Sequence, residues 1–400
     1  MFLNFKLTNY RSIGKEIVID FNIRDSQKLG AFAEINNQAI NNIACLVGPN
    51  ASGKSNVLLG IICFLRSLGI SYSVPFCRYT RGLTAHFCCQ SSPIEFSTEF
   101  IDNEIQYKYE VSVLNGIVQR EILLRRDETT KRYSYIFKRE TNSILFNKIK
   151  INQQDLNRLS GDMSLLSLLL ELNYFEKSEF ILLRDFYSNI HPGLFIQNNP
   201  KYTLNYISQK LQNDNILLDE LIEELKIIDT GISSLEIKKD KVKNIGTDTN
   251  EIFNEQEKVT ILTSHKIANK DYPLILSEES SGTWHYIDTF ISFSKVLQSG
   301  GLYIADELEQ SLHPNLTSRL INRFTNKNKN PNNAQLLFTT HNPWFLQDLT
   351  KTQILITEKN DKAETEITRL DEIAGVRNDE NYFTKYIAGE YDGRPKIKEV

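Results

Sequence analysis

Long apolar runs are missing from this chain. The longest, Val57 to Leu65, contains Gly60 and stops at Arg66, far short of the roughly 20 apolar residues a membrane helix needs. The opening MFLNFKLTNYRS alternates like a strand and has neither the apolar stretch nor the small-residue cleavage site of a secretory leader. Cysteine is scarce: five in 400 residues, an odd count without framework spacing. That excludes a disulfide scaffold and suits a reducing compartment. Positive charge is not in excess either, with 46 Lys and Arg against 50 Asp and Glu and a net charge of -4. No global field holds the chain on nucleic acid, so any such contact must come from a local patch. There is no repeat of solenoid length and no sustained heptad. What is present, 40% apolar and 24% charged residues, is the balance of a globular chain with a sizeable core. Its length suits two or three domain-sized units, or one large α/β body with an insertion. The expectation is a cytoplasmic protein without membrane contact.

Periodicity divides the chain. Phe2 to Leu7 and Lys15 to Phe21 alternate as strands around an Asn9–Ser12 turn, and the polar stretch Asn22 to Asn42 reads as a loop with a short helix. Ile43 to Val47 is continuously apolar, as a strand buried on both faces requires. Helical spacing follows over Ser55 to Leu68. Between Pro93 and Phe137 period-two alternation returns, with Asn115-Gly116 as a hairpin turn. Residues 118–150 carry nine Lys/Arg against four Asp/Glu. Ser164 to Ile190 and Ile216 to Ile228 read as amphipathic helices, the second with Glu220, Glu223 and Glu224 facing away from its Leu stripe. Ile237 to Asn254 reads as a solvated loop or hairpin. A helix from Thr283, a buried strand over 301–305, a helix near Pro314 to Phe324 and a strand over Gln335 to Thr339 complete the pattern.

Three of these junctions carry chemistry. Gly48-Pro49-Asn50-Ala51-Ser52-Gly53-Lys54-Ser55 fits G-x-x-x-x-G-K-[ST] between a buried strand and a helix. There, backbone N–H groups can surround a triphosphate, Lys54 can reach the β/γ-phosphates, and Ser55 can hold Mg²⁺. The strand over 301–305 ends in Asp306 and Glu307. Asp306 suits a metal ligand, and Glu307 suits the base that orients or deprotonates an attacking water. The strand before Thr340 ends in His341, whose neutral imidazole can bond a γ-phosphate or that water. A fourth segment, Ser277-Glu278-Glu279-Ser280-Ser281-Gly282-Thr283, places small residues before a helix. On spacing alone it reads as an N-cap rather than an anion cradle.

In this order the four pieces resemble the ATP-binding cassette (ABC) ATPases of the SMC-like branch. They look most like the stand-alone bacterial ABC-type ATPases of abortive-infection and anti-phage modules, relatives of the OLD nucleases. The residues that carry the resemblance are LTNYRSI, GPNASGKSN, PIEFSTEFIDNEIQYKYEVSV, SEESSGT, IADELEQSLHP, TTHN and the tail YFTKYIAGEYDGRP. The resemblance implies an α/β fold: a P-loop core with an antiparallel β subdomain and a helical insertion. Its implied divisions are 1–92 and 263–400 for the core, 93–150 for the β-rich continuation and 151–262 for the insertion. It implies ATP hydrolysis with ATP and Mg²⁺ as ligands. Asn50, Gly53, Lys54, Ser55, Asn56, Ser280 and Gly282 would hold the nucleotide, Ser55 and Asp306 the metal, and Glu307 and His341 would act in catalysis. Glu309 to His313 match the D-loop region. It also implies a head-to-tail, ATP-dependent homodimer in which Ser280 and Gly282 meet the γ-phosphate bound by the other chain.

Other patterns are set aside. Gln90 lies where a Q-loop glutamine falls but has no motif around it. The tail 389–395 departs by one residue from the family's G-x-Y-G-x-x-P and is given no role. Arg11 sits where such ATPases place a basic residue near the nucleotide, but an exposed turn arginine explains it better. Cys77, His86, Cys88 and Cys89 lack paired zinc-ligand spacing. Arg184-Asp185 with His191 has the outline of a ribonuclease motif inside a Leu-rich stretch that packing alone explains. Tyr133, Tyr135 and Phe137 alternate with the 118–150 charges, so that stretch reads as a solvated sheet face or a nucleic-acid groove. The stretch between Lys54 and Ser280 is too long for a transporter cassette and too short for coiled-coil arms. The residues after His341 are too few for a TOPRIM nuclease, so effector chemistry is expected on another chain. Two functions follow: an anti-phage sensor ATPase controlling a separate toxin or nuclease, or a repair ATPase whose dimer clamps DNA.

Overall fold

Segments with no polar alternation become central strands. Ile43–Val47, Leu302–Ala305 and Gln335–Thr340 are buried along their whole length. The computed structural model describes residues 1–24, 30, 32–69, 83–141, 143–176, 179–180, 183, 190–192, 207–208, 210–212, 214–228, 231–243, 255–267 and 270–393. The chain forms two compact units: Met1–Pro192 with Val296–Leu308 and Ile321–Val400, and Gly193–Lys295 with Glu309–Leu320.

In the first unit a six-stranded sheet runs in the order Ile190–Pro192, Leu302–Ala305, Gln335–Thr340, Ile43–Val47, Ile354–Lys359, Thr365–Arg369. The first five strands are parallel and the last is antiparallel. Parallel strands share one carboxyl edge, so the segments after Val47, Ala305 and Thr340 emerge together. That edge is the ligand side of open α/β sheets. A seven-stranded antiparallel sheet runs Ser143–Asn147, Tyr133–Glu140, Ile117–Arg126, Ile105–Leu114, Ile94–Asp102, Phe2–Thr8, Ile17–Asp20. Asn115 and Gly116 both take positive φ (51° and 79°), the geometry of a tight hairpin turn. The helix Lys54–Gly69 packs against strands of both sheets. Phe64 stacks on Phe96 with ring centroids 5.2 Å apart, and a Cβ at Gly60 would run into Leu7. That close approach explains the glycine inside the apolar run. The α/β class, a P-loop core with an antiparallel β subdomain, is the observed one.

Three local expectations change, and the 151–262 division is described only in part. The described part of 22–42, read as a loop with a short helix, holds a small sheet of Asn22–Ile23, Phe32–Ile35 and Gln38–Asn41, while 25–29 and 31 lie outside the described residues. Asn36 and Asn37 take φ of 54° and 62°, so two asparagines supply the turn that usually needs glycine. The Leu-rich stretch 164–190 is not one continuous helix: Leu165–Glu171 is helical, Asn173 follows in left-handed backbone (φ 56°), Leu183 is helical again, and 177–178, 181–182 and 184–189 lie outside the described residues. Within 151–262, much of which lies outside the described residues, the described part holds helices Gln153–Leu156, Leu165–Glu171 and Asn215–Ile227 and helical residues at 183, 207–208 and 210–212. It also holds strands Ile190–Pro192, Ile232–Lys243 and most of Glu255–Ile267. Finally, Glu224 does not face water. It is buried, accepting from the Tyr286 hydroxyl at 2.6 Å and pairing with Arg319 at 2.5 Å, partners far along the chain that its own helix could not announce.

The second unit holds the helix Asn215–Ile227, capped by Asp214, and an antiparallel sheet of Ile232–Lys243, Glu255–Ile267 and Lys270–Ile275. It also holds the first part of the helix Ser281–Ser299. The 237–254 reading is thus a hairpin in its described part, while 244–254 lie outside the described residues.

The basic 118–150 face is less available than its count suggests. Arg139 is fully buried, pairing with buried Glu121 at 3.3 Å. Glu121 also accepts from the Tyr109 and Ser164 hydroxyls and the N–H groups of Leu165 and Leu166, tying the start of the helix Leu165–Glu171 to the sheet. Phe137 is buried and Tyr133 donates its hydroxyl to Glu99, leaving Tyr135 as the well-exposed aromatic of the three.

Candidate functional site

The glycine-rich loop leaves the carboxyl end of Ile43–Val47 and enters the helix Lys54–Gly69. Ala51 and Gly53 take φ of 64° and 109°, so the chain turns sharply and presents the first N–H groups of the helix, which have no intrahelical acceptors. The turn is braced from far along the chain. Thr365 donates its hydroxyl to Ser52 O at 2.9 Å and shares a hydrogen bond with the Ser12 hydroxyl at 2.8 Å. Asn56 donates to the same Ser12 oxygen at 2.8 Å. A Cβ at Gly53 would collide with both Thr365 and Ser12. Lys54 is buried, its ammonium donating to Gly48 O (2.8 Å) and Pro49 O (3.0 Å). Asn50 on the loop and Ser55 in the first turn of the helix are exposed. Arg11 reaches Asn56 Oδ1 at 3.4 Å and lies over the Tyr10 ring, so it sits at the helix start rather than in an unconnected turn.

Asp306, Glu307 and His341 lie at the same sheet edge. Lys54 Nζ is 3.4 Å from His341 Nδ1, and His341 Nε2 is 3.2 Å from Glu307 Oε1. An ammonium has no acceptor, so Nδ1 must accept and Nε2 must carry the proton on the side that faces Glu307. Lys54, His341 and Glu307 therefore form one line of close polar contacts. Thr339, which sequence reasoning passed over, is fully buried on the strand between. Its hydroxyl donates to Asp306 Oδ1 at 2.6 Å and accepts from Glu307 N–H at 2.8 Å. The only sequence signal was a second polar residue in TTHN, where an interior strand position would ordinarily be apolar. Glu307 takes φ of 51°, unusual for a non-glycine residue and held by that N–H bond. Ser55 and Asp306 offer the hard oxygen donors that Mg²⁺ prefers. Asp306 Oδ2 has no partner among the described residues.

Ser280 and Gly282 belong to the second unit. Ser280 Oγ accepts from Thr283 N–H at 3.1 Å, the N-cap that spacing predicted. A Cβ at Gly282 would meet the Ser311 carbonyl at 2.8 Å, so the glycine admits the segment that includes Glu309 to His313. Just before the cap, Glu279 accepts from Thr263 and bonds His265 Nε2 at 2.8 Å.

Of the other patterns set aside in the sequence, several fall partly outside the described residues. Among the described residues no group of three His, Cys, Asp or Glu side chains could hold a metal, and Cys77 lies outside them. Gln90 is in an exposed turn. His191 lies on a strand, and Arg184 and Asp185 fall outside the described residues, as do Arg394 and Pro395 of the tail. None of the described helices is long and apolar enough to cross a membrane.

A family model described as "AAA domain, putative AbiEii toxin, Type IV TA system" matches residues 43–346, a span holding every candidate residue from Asn50 to His341. No curated protein matches the chain by sequence. Among solved structures, the SMC head domain from Thermotoga maritima covers 92% of this chain and 98% of its own at 14% identity and a TM-score of 0.40. The Smc head domain with an extended coiled coil, bound to the C-terminal domain of ScpA, from Pyrococcus furiosus covers 93% and 97% at 13% identity and 0.42. At these scores neither likeness bears on function.

Proposed function

Since the chain belongs to the AAA-domain family whose description names the putative AbiEii toxin of type IV toxin–antitoxin systems, we propose that it is an ATP-hydrolysing switch of an anti-phage module, acting on a separately encoded effector. The carrying observation is the line Lys54–His341–Glu307 at the carboxyl edge of a parallel sheet, beside Asp306. In this reading the loop N–H groups and Lys54 bind the triphosphate, and the ammonium exchanges its contacts with Gly48 O and Pro49 O for phosphate oxygens of greater charge. Asn50 and Asn56 flank the phosphates. Ser55 and Asp306 would hold Mg²⁺, which when bound neutralises charge between the β- and γ-phosphates. Glu307 takes the proton of the attacking water, and His341 holds that carboxylate through Nε2–H.

Ser280 and Gly282 have their place in this proposal on a second copy. A two-fold, head-to-tail pair would present each signature to the other chain's γ-phosphate and make two identical composite sites. Hydrolysis removes the joining phosphate and gives a two-state signal for an effector to read. A net charge of -4 and the burial of Arg139 and Phe137 argue for a protein effector over a DNA clamp.

Titration calorimetry with a non-hydrolysable ATP analogue and Mg²⁺ tests the base of this reading. The wild type should bind, and Lys54→Ala should lose binding by at least about 100-fold, the scale of an unpaired triphosphate charge. Equal affinity would mean that the loop is not the nucleotide site. A DNA affinity that rises with ATP and falls steeply with salt would replace the effector role with the clamp.

A further inference from the structure

We propose that Thr339 is a positioning residue that sets Asp306 for the metal and Glu307 for the water through one hydroxyl; this rests on the nucleotide reading above. A hydroxyl has one proton and two lone pairs, and Thr339 uses both functions. The proton goes to Asp306 Oδ1 (2.6 Å) and a lone pair takes Glu307 N–H (2.8 Å). The residue is fully buried on Gln335–Thr340, the strand next to Leu302–Ala305, with Phe338 in register with Ala305. Its own carbonyl accepts from Leu308 N–H at 3.2 Å. Thr339 thus grips the three residues that follow the strand end, Asp306, Glu307 and Leu308, from the adjoining strand.

Two consequences follow. With Oδ1 tied to the hydroxyl, Oδ2 is the oxygen of Asp306 without a partner among the described residues, so the carboxylate does not turn freely to present either one. Glu307, at φ 51°, takes left-handed backbone that few non-glycine residues adopt, and the hydroxyl accepts its N–H. Valine has the shape of threonine without the hydroxyl, and serine keeps the hydroxyl without the methyl. The pair therefore separates chemistry from packing.

The test uses the full chain. Binding of a fluorescent non-hydrolysable ATP analogue is followed while Mg²⁺ is titrated, beside kcat and KM for ATP. In Thr339→Val the Mg²⁺ needed for half-saturation should rise about 10-fold or more, the scale on which partners of metal ligands act. Analogue affinity without Mg²⁺ should stay within about twofold, and kcat should fall more than KM changes. Thr339→Ser should restore Mg²⁺ dependence to within about threefold of wild type. A folded Thr339→Val with wild-type Mg²⁺ dependence overturns the proposal, as does a serine variant as impaired as the valine one. If the valine chain does not fold, Thr339→Ala, which adds no bulk, is held to the same criteria. A wild type that binds no nucleotide overturns the underlying reading instead, and that result is visible before any variant is compared.

Discussion

Adding one methyl group at Gly53 should disable the site, and the size of the effect can be worked from its surroundings. The residue sits at φ 109°, where an L-residue pays about 1–3 kcal/mol. The new Cβ would also lie 2.9 Å from Ser12 Oγ and closer still to Thr365 Oγ1. Both hydroxyls are engaged, with each other, with Ser52 O and with Asn56. Pushing them aside loses two bonds of about 1 kcal/mol each. Gly53→Ala therefore costs about 3–5 kcal/mol, mostly local to the loop. Drawn from the binding conformation alone, that is a loss in ATP affinity of at least about 100-fold. Titration calorimetry reads the affinity and urea unfolding reads how much of the cost is global. Thr365→Ala adds a control, because it removes both Thr365 atoms, Oγ1 and Cγ2, that the new Cβ would meet. In the double variant part of the penalty should return, with a coupling of about 1–2 kcal/mol. Affinity within twofold of wild type for Gly53→Ala, or strict additivity with Thr365→Ala, would refute the account of the brace.

Three further outcomes are expected. Glu307→Gln should keep ATP binding, since an amide oxygen can still accept from His341 Nε2–H, while turnover slows by about 100-fold or more; a wild-type rate would remove Glu307 as the base. Ser280→Arg gives up an N-cap worth about 1 kcal/mol and should bind ATP yet not hydrolyse it. Mixed with Lys54→Ala it should regain activity, and a dead mixture whose subunits demonstrably exchange would end the shared-site model. Burial pushes the Asp288 carboxyl up to about 6, so its contribution is complete below the ordinary carboxylate range and is lost as pH rises through about 6. Asp288→Asn should therefore gain stability relative to wild type as pH rises from about 4 to about 6 in urea titrations, and keep that gain above it; a constant difference from about pH 4 to about 6 would contradict the shift.

Local pattern was enough for much of this molecule. A buried apolar run, a glycine loop and a helical period identify the loop Gly48–Ser55 because each part is contiguous. The strand ends at Asp306 and His341 were legible for the same reason. Alternation showed the antiparallel strands, since side chains that face opposite sides of a sheet must differ in polarity. Where the sequence fell short, the deciding partner was distant. Glu224 looked solvated until Arg319 and Tyr286 were placed against it. Arg139 counted as surface charge until Glu121 buried it. The asparagine turn at 36–37 hid a small sheet because glycine was not needed there. Thr339 carried almost no local signal, for its meaning comes from the neighbouring strand and a register that pairs Phe338 with Ala305. Sequence by itself determined which residues can do phosphate chemistry, since that depends on side-chain type and short spacing. Only the tertiary structure decided which of them touch, because strand order joins residues that lie hundreds of positions apart in the chain.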